Sequence, residues 1–154
     1  MSKNTATEVH QEVTIEETVP AFGYELIREV LLPEILGDDT PEILYWAGKK
    51  LARKFPLSSL EEIIDFFHQA GWGHLTILKE SKNELELELS SSIILNRMQD
   101  KKSRDSHHFQ LEAGFLAEQL EMQKQVISEA FEHPRKKSAK VHFTIKWDKK
   151  DIVS

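Results

Sequence analysis

From Glu84 to Leu89 the chain reads Glu-Leu-Glu-Leu-Glu-Leu, which on a strand puts three leucines on one face and three carboxylates on the other. Both residue types favour helices, but an apolar spacing of two, rather than three or four, decides against one. A strand dry on one side and wet on the other belongs in an antiparallel sheet covered on a single face. The pattern recurs near the C-terminus: Val141, Phe143, Ile145 and Trp147 share one face, and His142, Thr144 and Lys146 the other. Val126 to Glu132 and Lys140 to Trp147 make a hairpin around Pro134-Arg135-Lys136-Lys137-Ser138. His74 to Leu78, bounded by the Ser81-Lys82-Asn83 turn, supplies a further strand.

The rest of the chain has helical spacing. Helix one starts near Ala21, carries Phe22, Leu26, Val30 and Leu31 as one stripe, and ends or kinks at Pro33, with a last turn closed by Gly37. Helix two opens with Thr40 as N-cap and Pro41 in the first turn, with Ile43, Leu44, Ala47 and Leu51 facing inward. Lys49, Lys50, Arg53 and Lys54 at its end complement the helix carbonyls, a simpler account than a phosphate site. Helix three begins at Ser58-Ser59-Leu60-Glu61-Glu62, a capping box in either of two registers, and ends at Gly71. After a polar loop from Gln99 to Ser106, helix four spans roughly Asp105 to Lys124, with Phe109, Ala113, Leu116, Ala117 and Leu120 inward. The sequence therefore predicts an α+β domain, helices packed on a four-stranded antiparallel sheet in the order ααα-ββ-α-ββ. Residues 1–19 read as a disordered acidic tail, 20–148 as the single domain and 149–154 as a C-terminal tail. The alternative for the acidic tail is a partner-binding segment using Val9, Val13 and Ile15.

Composition excludes much chemistry. There is no cysteine among 154 residues, so disulfides, thiolate metal sites and a cysteine nucleophile are out, which suits a reducing compartment. No apolar run approaches a membrane span and no secretory leader is evident, so the expectation is a cytoplasmic protein. The six glycines are scattered, which rules out a standard phosphate loop.

No catalytic motif emerges. His107 and His108 are adjacent and point about 100° apart on a helix, a poor pair for one metal. An enzyme would need His68 or His74 to share a cleft with Glu86 or Glu129. The pairs Glu16-Glu17, Asp38-Asp39 and Glu61-Glu62 fall in the tail, in a loop and at a helix start, where the charges have structural explanations. Neither a cofactor nor a metal is expected. Residues 134–150 hold seven basic residues and one acid, yet the net charge is -6 and no stacking platform is evident, so nucleic-acid contact there is the minor alternative.

Several short stretches resemble a known superfamily. Gly71-Trp72-Gly73, Glu112-Ala113-Gly114-Phe115-Leu116-Ala117 and the closing Val141-His142-Phe143-Thr144-Ile145-Lys146-Trp147 are similar to the fold shared by bacterial four-vinyl-reductase-type domains, Golgi transport-complex subunits and haem nitric-oxide sensors. More closely, Ala21-Phe22-Gly23-Tyr24-Glu25-Leu26-Ile27-Arg28 and Leu44-Tyr45-Trp46-Ala47-Gly48-Lys49-Lys50-Leu51-Ala52 resemble the YslB-like group of uncharacterised proteins from Gram-positive bacteria. The superfamily's acylated cysteine has no counterpart here, nor has its cysteine-rich metal site. The Tyr-x-Ser-x-Arg haem motif is missing too, since Tyr24 and Tyr45 lead into other residues. What the resemblance implies is an apolar space between helix four and the sheet, and a tendency to dimerise.

The aromatic residues Trp46, Phe66, Phe67, Trp72, Phe115, Phe131, Phe143 and Trp147 are expected chiefly in the core. Phe66 and Phe67 are helix neighbours and Phe115 lies off the stripe of helix four, so a second buried side is required, toward helix one or a partner. Gly114, inside helix four, implies close packing against the sheet or a second chain, or else room for a ligand. The excess apolar surface falls around helices one, three and four, and Phe66, Gly114 and Phe115 are the expected dimer-interface residues. Phe67, Trp72, Leu116, Leu120, Phe131 and Phe143 are the expected lining of a small apolar pocket. The expectation is a non-enzymatic homodimer able to hold an apolar ligand, with a carrier or sensor acting through a protein partner as the alternative.

Overall fold

The computed structural model describes residues 18–91, 109–135 and 138–153. The expected tail up to Glu17, the Gln99 to Ser106 loop, His107-His108 and the start of helix four at Asp105 lie outside the described residues.

Helix α1 is a rod in three parts: an α-helical segment Ala21–Glu25, a π-helical stretch Leu26–Leu31 and a second α-helical segment Leu32–Leu36. A 3-10 turn, Gly37–Asp39, leads into α2, Thr40–Lys54; α3 is Leu60–Gln69. The strands are β1 His74–Glu80, β2 Glu84–Ser90, β3 Val126–Arg135 and β4 Lys140–Ile152, with α4, Gln110–Lys124, between β2 and β3. The sheet order is β1-β2-β4-β3, antiparallel throughout. The expected fold class is the observed one.

One local reading narrows and two change. Of the two outcomes expected at Pro33 the ending is not the one observed: the rod is distorted into widened π-helical turns ahead of it, with the Leu32 N–H bonded to the Ile27 carbonyl, and these carry it past the missing donor. Thr40 does not cap α2, since its hydroxyl donates to the Gly37 carbonyl. Strand β4 runs beyond the expected domain end at 148, with Ile152 opposite Val126. The capping box of α3 settles in one register: Ser59 Oγ accepts from the Glu62 N–H at 3.2 Å, while the Glu62 carboxylate accepts from the Ser58 N–H at 2.8 Å.

The wet and dry faces follow the alternation. Leu85, Leu87 and Leu89 are buried with Val141, Phe143 and Ile145, while Glu84, Glu86 and Glu88 pair across the outer face with Lys146, Thr144 and His142. There the Glu88 carboxylate lies 3.0 Å from His142 Nε2 and 3.4 Å from Lys140 Nζ. The edge strand β3 is blunted. Its Ser128 N–H donates to Glu121 and its Ala130 N–H to the Tyr45 hydroxyl oxygen, and Pro134 has no N–H to offer.

Helix α4 lies between the sheet and α2, and residues 112–120 are buried without interruption. Against the sheet it turns Ala113, Leu116, Ala117 and Leu120, as its spacing predicts. On the other side it meets α2 at two glycines. A Cβ at Gly114 would lie 2.8 Å from the Tyr45 carbonyl carbon and closer still to its oxygen. One at Gly48 would lie 2.8 Å from the Phe115 nitrogen and closer still to the Leu111 carbonyl oxygen. The two backbones touch, which repays the ~1 kcal/mol that a mid-helix glycine costs.

Replacing Gly114 or Gly48 with Ala should therefore lower stability by at least about 3 kcal/mol, the upper range for overpacking. In the same urea titration Gly23→Ala, which meets nothing within 4 Å, should be neutral or slightly stabilising.

A second expectation concerns pH. Partial desolvation pushes the Glu88 carboxyl up, but hydrogen bonds from His142 and Lys140 outweigh it and hold Glu88 below its ordinary value of 4.5. A carboxylate held low when folded adds stability above that value and loses it as the pH falls through the folded one. Glu88→Gln should thus flatten the acid side of the stability–pH curve, measured by thermal unfolding from neutral pH downward.

Candidate functional site

Two features stand out once the core is filled: the outward side of α1, and a groove where α2, α4 and β3 meet. The first arises from a reversal of the usual helix logic. The stripe of Phe22, Leu26, Val30 and Leu31 is present on α1, but it faces solvent together with Ile27 and Ile35. Phe22 is 68% exposed and Ile35 67%, whereas Arg28, on the opposite side, is only 6% exposed.

The buried side of α1 is reserved for an ion pair. Arg28 Nη2 donates to Glu112 Oε1 at 2.6 Å, and Nη1 donates to the Tyr24 hydroxyl oxygen at 3.0 Å. Burial alone would lower the guanidinium pKa, but Glu112 and Tyr24 more than offset that and push it up, so the arginine stays charged. Glu112 belongs to a set of polar side chains on α4 that fix its neighbours. Glu118 accepts from Arg53 Nε at 2.9 Å. Gln119 accepts from the Leu57 N–H and donates to the Phe55 carbonyl, at 3.0 and 2.8 Å. Glu132, reaching from β3, accepts from the Phe109 N–H at 2.9 Å and from the Gln110 amide at the N-terminus of α4, where negative charge meets the positive end of the helix.

The groove is about 430 Å³, lined by Pro41, Glu42, Tyr45, Lys49, Gln110, Glu129, Ala130 and Phe131. Phe131 stands 44% exposed on its wall. Tyr45 accepts the Ala130 N–H at 3.1 Å, which leaves its own proton to donate. Its pKa is raised, first by burial and then by Glu129, Glu121 and Glu118, against the opposing pull of that N–H. It therefore stays neutral at physiological pH. Aromatic and prolyl walls with a few polar groups suit a small amphiphile.

Of the residues expected to line an apolar pocket, Phe67, Trp72, Leu116, Leu120 and Phe143 are core side chains packed in one cluster, and Phe131 alone opens onto the groove. The interface expectation also changes. Gly114 is spent on the crossing with α2, and Phe115 is wholly enclosed, its ring stacked on Phe66 at 4.7 Å and edge-on to Trp72 at 5.3 Å. Phe66, half-buried, also meets Phe55 at 5.7 Å. The second buried side is thus internal, an aromatic cluster between α3 and α4. Trp72 drops into it because Gly71 and Gly73 take positive φ values of 77° and 136°.

Trp46, read as core, is 57% exposed. The signal was present: it lies two residues from both Leu44 and Gly48, on the far side of the buried Thr40, Leu44, Gly48 and Ala52 stripe. For Arg28 the sequence offered only a position opposite the apolar stripe, which ordinarily means solvent.

Among the described residues no group of three His, Asp or Glu side chains could hold a metal ion, and no helix is long and apolar enough to cross a membrane. His68 and His74 are exposed beside the Gly71-Trp72-Gly73 turn and do not line the groove that holds Glu129.

A central helix held between a second helix and one face of a four-stranded antiparallel sheet has a counterpart among solved structures. The crystal structure of a vinyl-4-reductase family protein from Methanocaldococcus jannaschii superposes with a TM-score of 0.64, covering 96% of this chain and 97% of that one at 18% identity. Within that fold the chain belongs to the family described as "Protein of unknown function (DUF2507)", which matches residues 21–146. The Uncharacterized protein YslB of Bacillus subtilis (strain 168) is 52% identical over 133 residues, or 86% of this chain and 88% of that protein. The resemblance carried by Ala21 to Arg28 and by Leu44 to Ala52 is thereby confirmed.

The ion pair makes a sharp expectation. Arg28→Met or Glu112→Gln should each destabilise by about 3–5 kcal/mol, because one buried charge is left alone. The double variant Arg28→Met/Glu112→Met should recover most of that loss in the same thermal-unfolding assay.

Proposed function

We propose that the protein is a non-enzymatic, cytoplasmic domain that forms a homodimer through the outward face of α1 and takes a small amphiphile in the groove beside Tyr45 and Phe131. One observation carries the reading: six large apolar side chains, Phe22, Leu26, Ile27, Val30, Leu31 and Ile35, stand in solvent on one helix that is pinned to the body by a buried ion pair. Covering a side chain of this size contributes about 1.5–3 kcal/mol, so a monomer leaves a large gain unrealised. A second copy presents the same face across a two-fold axis and needs no other partner. The absence of cysteine supports a reducing compartment. A carrier or sensor role is favoured by the groove, where Phe131 is exposed and the Tyr45 hydroxyl has a proton to give.

Sedimentation equilibrium should find a dimer at micromolar concentration. Leu26→Glu/Val30→Glu should yield a monomer with an unchanged circular dichroism spectrum, and a wild-type monomer at high concentration would refute the dimer. For the groove, native mass spectrometry after gentle purification should retain a small copurifying molecule that Phe131→Asp releases. A ligand-free mass for the wild type would count against occupancy.

A further inference from the structure

The outer side of α2 carries features that neither the core nor the α1 face uses. Trp46, Lys50, Arg53 and Lys54 recur at intervals that place them on one side of the helix, turned away from the buried Leu44, Gly48 and Ala52. Lys50 Nζ stands 4.4 Å from the centroid of the Trp46 ring. Arg53 is oriented by Glu118 yet keeps 62% of its side chain in solvent. Helix-end electrostatics account for the cations, but not for an indole left in water among them. In a chain of net charge -6 this is a local reversal of sign, and its occupant must combine negative charge with small apolar groups that can lie against the ring.

The chain itself contains such a segment. Residues 1–17 hold Glu8, Glu12, Glu16 and Glu17 against a single lysine, with Val9, Val13 and Ile15 between them. The segment joins the described residues at Thr18, just ahead of α1. Seventeen residues reach at most roughly 60 Å, while the α1 rod is only ~24 Å long at 1.5 Å per residue, so the face of α2 is within range in the same chain or in a second copy. A tether of this kind raises the local concentration to the millimolar range, so each contact can be weak.

We propose that the acidic N-terminal segment docks on the Trp46–Lys50–Arg53–Lys54 face of α2, its glutamates against the cations and its valines and isoleucine against the indole. The proposal is independent of the dimer, which uses α1. A nucleic acid is the competing occupant, disfavoured because the face offers one aromatic platform and continues at its other end into Glu42.

The test uses the full chain. Trp72 and Trp147 are buried, so acrylamide quenching of tryptophan fluorescence reports chiefly on Trp46, and subtraction of a Trp46→Phe variant isolates it. At low salt, Glu8→Gln/Glu12→Gln/Glu16→Gln/Glu17→Gln should quench several-fold more readily than wild type. Lys50→Glu/Lys54→Glu should behave the same way, with an unchanged circular dichroism spectrum. The difference should vanish near 1 M salt, where the screening length is about 3 Å. A synthetic peptide of residues 1–17 should restore shielding to the glutamine variant. Equal quenching of wild type and the glutamine variant at low salt would overturn the proposal. So would shielding of that variant by a single-stranded oligonucleotide but not by the peptide, which would assign the face to nucleic acid.

Discussion

The approach of α2 to α4 at Gly48 and Gly114 is the constraint from which the rest of the structure follows. Two helices whose backbones touch leave no room for side chains between them, so α4 sinks beneath α2 and is enclosed on all sides. A helix so buried is ordinarily apolar all round. This one keeps Glu112, Glu118 and Gln119 in the interior, and each must find a partner because an unpaired buried polar group costs about 1–3 kcal/mol or more. The partners lie on α1, on α2 and on the segment joining α2 to α3, so α4 fixes its surroundings through directional bonds as well as packing.

That requirement explains the orientation of α1. Glu112 needs a cation, Arg28 supplies it, and the rod must therefore turn its arginine inward and its apolar stripe outward. The π-helical stretch that contains Arg28 also carries the rod past Pro33. The α1 surface is apolar, then, because its polar side is needed elsewhere. The same crossing shapes α2, whose stripe of Leu44, Gly48 and Ala52 is narrow enough to leave Trp46 and its basic neighbours on the outside.

Much of this was legible in the sequence. The period-two run at Glu84 to Leu89 specifies a half-wet strand, and the sheet, its faces and the final hairpin follow from it and from Val141 to Trp147. Helix ends marked by chemistry, Ser59-x-x-Glu62 and Gly71, also came out where expected. Spacing reveals that a stripe exists but not which way it faces: excess apolar surface is expected around helices one, three and four, and the chain encloses it at Phe115 while leaving it in solvent on α1. A buried arginine leaves no periodic trace, because its burial depends on Glu112, 84 residues away. The groove is likewise assembled from distant segments, and only Phe131 among the expected lining residues reaches it.

The interior is held by the chain's own packing and ion pairs, whereas the outward face of α1 stands in solvent. Hydrogen–deuterium exchange at several protein concentrations probes both at once. Peptides covering residues 21–36 should become more protected as concentration rises through dimerisation, while those covering residues 110–124 stay strongly protected throughout. Exchange over residues 21–36 that does not change with concentration would contradict the claim that a second copy covers α1.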